Sequence, residues 1–366
     1  MDTGIDPWGQ VNVKNYDQLC KDFGIAKFTK MVSELPEAPP YMRRGGVFGH
    51  KDFERILKAI KEKKDFVMMT GLMPSGRFHF GHKLVADQII YYQKLGAECF
   101  VTAADLEAYL TRDVPIEQAR KIAIEEYLTN YIALGLKPEK THFYFQTEGK
   151  QEYMNLSKFV AKKTTFNEIR AIYGNVSPSK IVAALTQVAD ILHPQLKEFG
   201  GPRPTIVPVG ADQLPHINLT RDIAARMQAD YKFILPSATF HILGPGLQGG
   251  KMSSSVPESA IFLSDPPKVV EKKIKKYAFS GGQSTIEEHR KLGGNPDIDV
   301  SFQWLKLLFE EDDGKLKEIE EDYRSGKLLS GELKQILIEK VNKFLTEHGK
   351  RREKAKKMVD KFLESN

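Results

Sequence analysis

Two short runs of this sequence hold the residues that could do chemistry. The first is Thr70-Gly71-Leu72-Met73-Pro74-Ser75-Gly76, followed by His79-Phe80-Gly81-His82. His79 and His82 are three positions apart, so on a helix they share one face. Imidazole donors aimed at a phosphate stabilise charge that grows in a transition state. A helix that starts here adds unpaired backbone N–H groups and a partial positive charge, which also suit phosphate. Gly71 and Gly76 let the backbone approach a ligand with no Cβ in the way, and Gly81 is expected to leave flat, open space for an adenine or ribose. Two other readings stand beside this one: a pair of surface histidines, or half of a metal site completed by His193 and His216.

The second run is Gly249-Gly250-Lys251-Met252-Ser253-Ser254-Ser255, preceded by Gly244, Pro245 and Gly246. So much glycine around one lysine predicts a mobile loop that closes on a substrate. A flexible ammonium suits a departing pyrophosphate, and serine hydroxyls and backbone N–H groups can join it. The run is not a P-loop, because Met252 stands where that motif requires Ser or Thr after Lys. A basic, glycine-rich surface loop without function is the alternative.

The elements that must position these runs read as alternating strands and helices. Residues 66–70, 99–104, 142–145 and 205–209 are short apolar runs that predict buried strands. Residues 81–95 and 115–134 predict helices between them, with Pro115 near the first turn of the second. This pattern predicts an α/β fold: a doubly wound parallel sheet covered on both faces, with ligands at the carboxyl ends of its strands. Ahead of it, residues 52–60 have helical periodicity, and 41–50 read as a loop or hairpin carrying Arg43 and Arg44. After about residue 263 no further parallel strand is expected, and 266–277, 300–310, 331–345 and 350–363 all read as helices. The expected organisation is an N-terminal extension (1–64), a catalytic domain (65–265) and an all-helical C-terminal domain (266–366).

Composition fits a globular enzyme. The chain has 366 residues, 41% hydrophobic and 28% charged, so its length suits two domains and disorder is not indicated. Cys20 and Cys99 are the only cysteines, which excludes a disulfide framework and a multi-thiolate zinc site. No apolar stretch approaches the ~20 residues of a membrane helix. Residues 1–10 carry Asp2 and Asp6, no basic cluster and no apolar run, which argues against a secretory leader and for a cytoplasmic location. The net charge of +6 suits a polyanionic partner, and the helical part concentrates it at Lys272, Lys273, Lys275, Lys276 and across 350–357. Such runs are also ordinary solvated helix faces.

Taken together, the two runs resemble known signatures. His79-Phe80-Gly81-His82 looks like the HIGH motif, and Lys251-Met252-Ser253-Ser254-Ser255 like the KMSKS motif, of class I aminoacyl-tRNA synthetases; Ser254 replaces the second lysine. Over nearly its whole length the sequence resembles the tryptophanyl-tRNA synthetases of archaeal and eukaryotic type. The most specific stretches are Ala278-Phe279-Ser280-Gly281-Gly282-Gln283-Ser284-Thr285-Ile286-Glu287-Glu288-His289-Arg290 and Gly293-Gly294-Asn295-Pro296-Asp297-Ile298-Asp299-Val300-Ser301-Phe302. The resemblance implies a homodimer with a Rossmann-type catalytic domain and a helical anticodon-binding domain that takes ATP with Mg2+, L-tryptophan and tRNA(Trp), with no membrane or DNA partner. It assigns catalysis to His79, His82, Lys251, Ser253 and Ser255. ATP binding falls to Gly71, His79, Gly81, His82, Lys251, Met252 and Ser253.

For the amino acid, the resemblance gives Glu107 and Gln213 the polar end of the substrate, with Gln187 a further candidate. The eukaryotic members meet the indole N–H with a Tyr and a Gln, and this chain has Met69 and Thr102 at the corresponding places. Thr102 can still accept from the indole, and Met69 offers packing and a weak acceptor. Gln187-Val188-Ala189-Asp190 is similar to the Gln-x-x-Asp of archaeal tyrosyl-tRNA synthetases. Asp190 is therefore expected either to accept from the indole or to cap a structural network. A tyrosine-specific enzyme and a His-x-Gly-His nucleotidyltransferase remain the alternatives.

Overall fold

The computed structural model describes residues 16–363; the leader reading of residues 1–10 lies outside them. Its centre is a seven-stranded sheet of β1 (Ala26–Lys27), β2 (Val47–Lys51), β3 (Val67–Leu72), β4 (Glu98–Ala103), β5 (Thr141–Phe145), β6 (Thr205–Gly210) and β7 (Ser237–His241), in the order β1-β2-β7-β6-β3-β4-β5. The strands β3 to β7 are parallel, and β2 and β1 extend one edge antiparallel. The chain winds outward from β3 through β4 to β5, then returns past β3 to β6 and β7. The winding reverses between β3 and β6, and a crevice opens at that point at the strands' carboxyl ends.

Alternating residues of these strands feed cores on both faces of the sheet. Met68, Leu72, Cys99, Val101 and Ala103 enter one buried cluster, while Val67, Met69 and Phe100 enter another. Burial on both faces is why these strands read as continuous apolar runs.

Two strands depart from the sequence expectation. The segment expected to be a loop or hairpin supplies β2, which pairs Val47 with His241 and Lys51 with Ala238. The fifth parallel strand, Ser-Ala-Thr-Phe-His, lacks an apolar run, yet all five of its residues are buried between β2 and β6. Pairing on both sides forms these strands where local propensity is weak. The long helix expected from 115 begins at Ile116 and reaches Leu134, with one wider turn at Ala123–Leu128. The two last helices expected are one helix, Ser330–Ala355, followed by Asp360–Leu363 beyond a tight turn.

The C-terminal helices pack directly on the helix that follows β3, Phe80–Lys94. The Phe80 ring meets Trp304, Phe309 and Phe344 at centroid distances of 5.7, 4.9 and 5.6 Å. One apolar cluster therefore runs from the sheet into the helical part. Some of the basic residues expected to be solvated or to meet RNA are used inside the chain. Arg352 pairs with Glu126 at 3.2 Å, Arg351 donates to the Ala133 carbonyl at 3.1 Å, and Lys273 pairs with Asp265 at 2.8 Å.

Candidate active site

His79 is the N-cap of the helix Phe80–Lys94, with extended backbone. Its Nδ1 accepts from the Gly81 N–H at 3.1 Å, and His82 Nδ1 accepts from the His79 N–H at 3.2 Å. The two rings stack at 3.7 Å and 14°. Burial, reinforced by the Lys251 charge, pushes His79 down to about 3, and burial, with His79 and Lys251 both opposing a second positive charge, holds His82 well below the usual histidine range. Both imidazoles are therefore neutral near pH 7. With Nδ1 accepting in each, the proton must sit on Nε2, so each ring has an Nε2–H donor.

This arrangement changes two expectations. The N–H groups at the start of the helix are not vacant: Gly81 donates to His79 Nδ1, and His82 donates to the His79 carbonyl at 2.9 Å. The imidazoles replace the backbone as donors. Nor is the space at the glycines open. A Cβ on Gly81 would meet His79 Cε1 at 2.9 Å, one on Gly71 would meet Thr102 Cγ2 at 2.9 Å, and one on Gly76 would meet Ser254 Cβ at 2.7 Å. These glycines make room for the chain's own side chains.

The lysine run is seated against the histidine run. Gly249 and Gly250 both have positive φ, 80° and 66°, and the Gly246 N–H donates to the Gly250 carbonyl at 2.8 Å. Left-handed backbone at both positions explains glycine there. The turn delivers Met252 into the core, 2% exposed. Ser254 Oγ donates to the Arg77 carbonyl at 2.9 Å, and the Ser253 and Ser255 hydroxyls meet at 2.8 Å. Lys251 Nζ reaches Asp212 Oδ2 at 2.5 Å. Asp212 follows β6 at the switch point, and His241, at the end of β7, lies close to it, pushed down to about 4 by burial. The expected mobile loop is thus found docked, with its lysine held by a carboxylate.

Below the phosphate-suited end lies the candidate amino-acid subsite. Thr102 is 1% exposed; its hydroxyl faces that of Tyr144 and accepts no well-formed hydrogen bond among the described residues. Gln187 Nε2 donates to Gln213 Oε1 at 3.0 Å. Asp190, 2% exposed, accepts from Tyr153 at 2.7 Å and Tyr144 at 3.2 Å on Oδ1, and from Gln146 at 2.7 Å on Oδ2. Asp190 is thus held in a network of its own chain and also lines the cavity. Burial raises its carboxyl to about 7 despite the three donors, which favour the ionised form.

A single cavity of about 580 Å³ joins all of this. Its walls include the histidine pair, Gly71 and Gly81, the run from Lys251 to Ser255, and Met69, Thr102, Glu107, Gln187, Asp190 and Gln213. The sequence-expected residues are therefore all brought together. His193 and His216, considered for a metal site, lie elsewhere: His193 Nδ1 meets the Asp190 carbonyl at 2.9 Å and His216 Nδ1 the Tyr173 hydroxyl at 2.7 Å. Among the described residues no three His, Cys, Asp or Glu side chains are grouped to hold a metal ion. Sequence reasoning passed over Asp212, Gln146, Tyr144 and Tyr153. Gln146 directly follows a parallel strand and Asp212 lies two residues past one, the region where ligand-facing residues concentrate.

Comparison with known proteins agrees with this geometry. Residues 61–346 match the family model of class I tRNA synthetases for W and Y, which makes the chain a class I aminoacyl-tRNA synthetase. It is 49% identical to the tryptophan–tRNA ligase of Aeropyrum pernix over 98% of both chains, and 44% identical to that of Methanocaldococcus jannaschii over the same shares. The crystal structure of the Aeropyrum pernix tryptophanyl-tRNA synthetase superposes with a TM-score of 0.91 over 98% of each chain. The Plasmodium falciparum tryptophanyl-tRNA synthetase, 33% identical, gives 0.84 over 95% of this chain and 97% of that one. The chain belongs to the tryptophan–tRNA ligase family.

Proposed function

We propose that this chain activates L-tryptophan with ATP and transfers it to tRNA(Trp), using the cavity above for both steps. The observation that carries the reading is the meeting of two neutral Nε2–H imidazoles and one lysine at one end of a cavity whose other end is the amino-acid subsite. The substrate carboxylate is ionised near neutral pH, so the first step needs no general base. It attacks the α-phosphorus of ATP in line, forming the carboxyl–phosphorus bond as the bond to pyrophosphate breaks. Catalysis is then mainly positioning and charge stabilisation.

In this reading His79 and His82 donate to the phosphate oxygens near the reacting centre. Being neutral, they bind phosphate by hydrogen bonds without forming a fixed ion pair to the ground state. Lys251, with Ser253 and Ser255, exchanges Asp212 for the β- and γ-phosphates. Gly71, Gly81 and Met252 shape the ATP subsite. Mg2+ accompanying ATP would be held mostly by phosphate and water and would lower the charge of the leaving pyrophosphate. In the second step a terminal ribose hydroxyl of the tRNA attacks the aminoacyl-adenylate, and AMP leaves.

For the amino acid, Glu107 and Gln213, with Gln187 beside it, take the ammonium and carboxylate end. Thr102 accepts from the indole N–H with Met69 packed nearby. A buried hydroxyl without a partner costs about 1–3 kcal/mol, which the indole donor removes. Asp190 is engaged by three donors of its own chain. That occupancy disfavours the tyrosine reading, in which this carboxylate would take the substrate hydroxyl. Domains at 65–265 and 266–366, with the second reading the anticodon, a cytoplasmic location and a homodimer complete the proposal. Charging of labelled tryptophan onto a tRNA(Trp) transcript tests it: ester-linked label on the tRNA is expected. Adenylate without charging would refute the transfer step.

A further inference from the structure

One buried residue outside the cavity lining holds two residues that are in it, Glu107 and Asp190. Gln146 directly follows β5 and is 1% exposed. Its Oε1 accepts the Glu107 backbone N–H at 3.0 Å, and its Nε2 donates to Asp190 Oδ2 at 2.7 Å. The carbonyl oxygen can only accept, so the first bond fixes the amide orientation and turns the NH2 group to Asp190. The other polar groups around Asp190 are the Tyr144 and Tyr153 hydroxyls, His193 against its backbone carbonyl, and the Glu107 charge, which opposes its ionisation. Glu107 sits in the helix Asp105–Arg112, whereas Asp190 sits in the helix Pro178–Leu192. One buried amide thus links the two helices that bring these carboxylates to the cavity.

We propose that Gln146 is a positioning residue for the amino-acid subsite. It sets the start of the Glu107 helix against the Asp190 network, which reaches Thr102 through Tyr144, its partner on the adjoining strand, so the ammonium and indole ends of the substrate are met at a fixed separation. The proposal rests on reading the cavity as a tryptophan site. Two features make the coupling stiff. The bond to Asp190 is buried and the one from the Glu107 N–H is partly so, with Gln146 itself 1% exposed, so water does not replace them at low cost. Asp190 is also tied to β5 and to the helix Gln151–Lys162 through the two tyrosines.

Pyrophosphate exchange on the full chain at pH 6 tests this with Gln146→Leu and Gln146→Glu beside the wild type. Gln146→Leu keeps the volume and loses both bonds. The expected result is a KM for tryptophan raised about tenfold or more, the loss set by about 1.4 kcal/mol or more of buried hydrogen bonding. KM for ATP and kcat should stay within about threefold. Gln146→Glu keeps the acceptor for the Glu107 N–H and can share one proton with Asp190, so its KM for tryptophan should lie within about threefold of wild type. If Gln146→Leu does not fold, Gln146→Met takes its place. An unchanged KM for tryptophan in the apolar variant would overturn the proposal. So would a KM for ATP that rises in step, or a Glu variant as impaired as the apolar one. A wild type that does not exchange with tryptophan would instead fault the functional reading on which the proposal rests.

Discussion

Replacing Lys251 by Ala isolates the transition-state contribution of the docked loop. The side chain is 40% exposed and ends 2.5 Å from Asp212, whose own side chain is 8% exposed. In the ground state its charge is therefore already neutralised. Its catalytic value must come from exchanging that partner for the charge that develops on the leaving pyrophosphate. Removing one such donor typically lowers the rate by ~10²–10³, or about 3–4 kcal/mol of barrier. The loss should fall at the upper end, because Lys251→Ala also leaves the Asp212 carboxylate facing the phosphates. The imidazoles should stay neutral, since burial is the first cause of their depression and Lys251 a lesser one. Rapid-quench measurement of adenylate formation at saturating tryptophan and ATP reads the effect directly. Tryptophan binding by calorimetry should change less than about threefold. The double variant Lys251→Ala/Asp212→Asn should recover about tenfold of the lost rate by removing the exposed negative charge. A single variant within about threefold of the wild-type rate would refute the assignment of Lys251.

Three further outcomes follow from the same geometry. Gly76→Ala places a Cβ 2.7 Å from Ser254 Cβ, so exchange should fall about tenfold or more and be restored by adding Ser254→Gly, with the steady-state rates of the pair as the check. Trp304→Phe removes the donor to the Pro245 carbonyl at 2.7 Å, which anchors the turn before Lys251. It should cost about 1–3 kcal/mol in denaturant titration and raise KM for ATP. The raised carboxyl of Asp190 makes the native chain bind a proton that the unfolded chain releases between about pH 4 and 7. Its contribution to stability is thus greatest below the ordinary carboxylate range and declines as pH rises to about 7, so the wild type should lose stability relative to Asp190→Asn across that window. Parallel melting-temperature profiles would contradict the assignment.

Much of the site was legible because its parts are short-range. His79, Gly81 and His82 lie on one helix start, and Lys251 lies in a turn that only glycine-rich sequence forms. The four strands with apolar runs announced themselves for the same reason. What was not legible depends on contacts made across the fold. The strand Ser237–His241 is formed by its neighbours β2 and β6, and β2 by its pairing with β7. The glycines were read as space for a ligand, although Thr102 and Ser254, distant in sequence, fill it at Gly71 and Gly76, and His79 folds back over Gly81. The helix start was read as a bare phosphate site, yet its N–H groups are capped by the same histidine that was expected only to donate. The network around Asp190 was not legible either, because Tyr144, Tyr153 and Gln146 reach it from about 40 residues away in sequence.

The most direct test of the central claim is magnesium-dependent ATP–pyrophosphate exchange with purified protein, supplied with tryptophan and tyrosine in parallel. Exchange with tryptophan alone is the expected result, since Asp190 is engaged within the chain and Thr102 is the buried acceptor without a donor. Exchange with tyrosine alone would contradict the account and return Asp190 to the substrate hydroxyl.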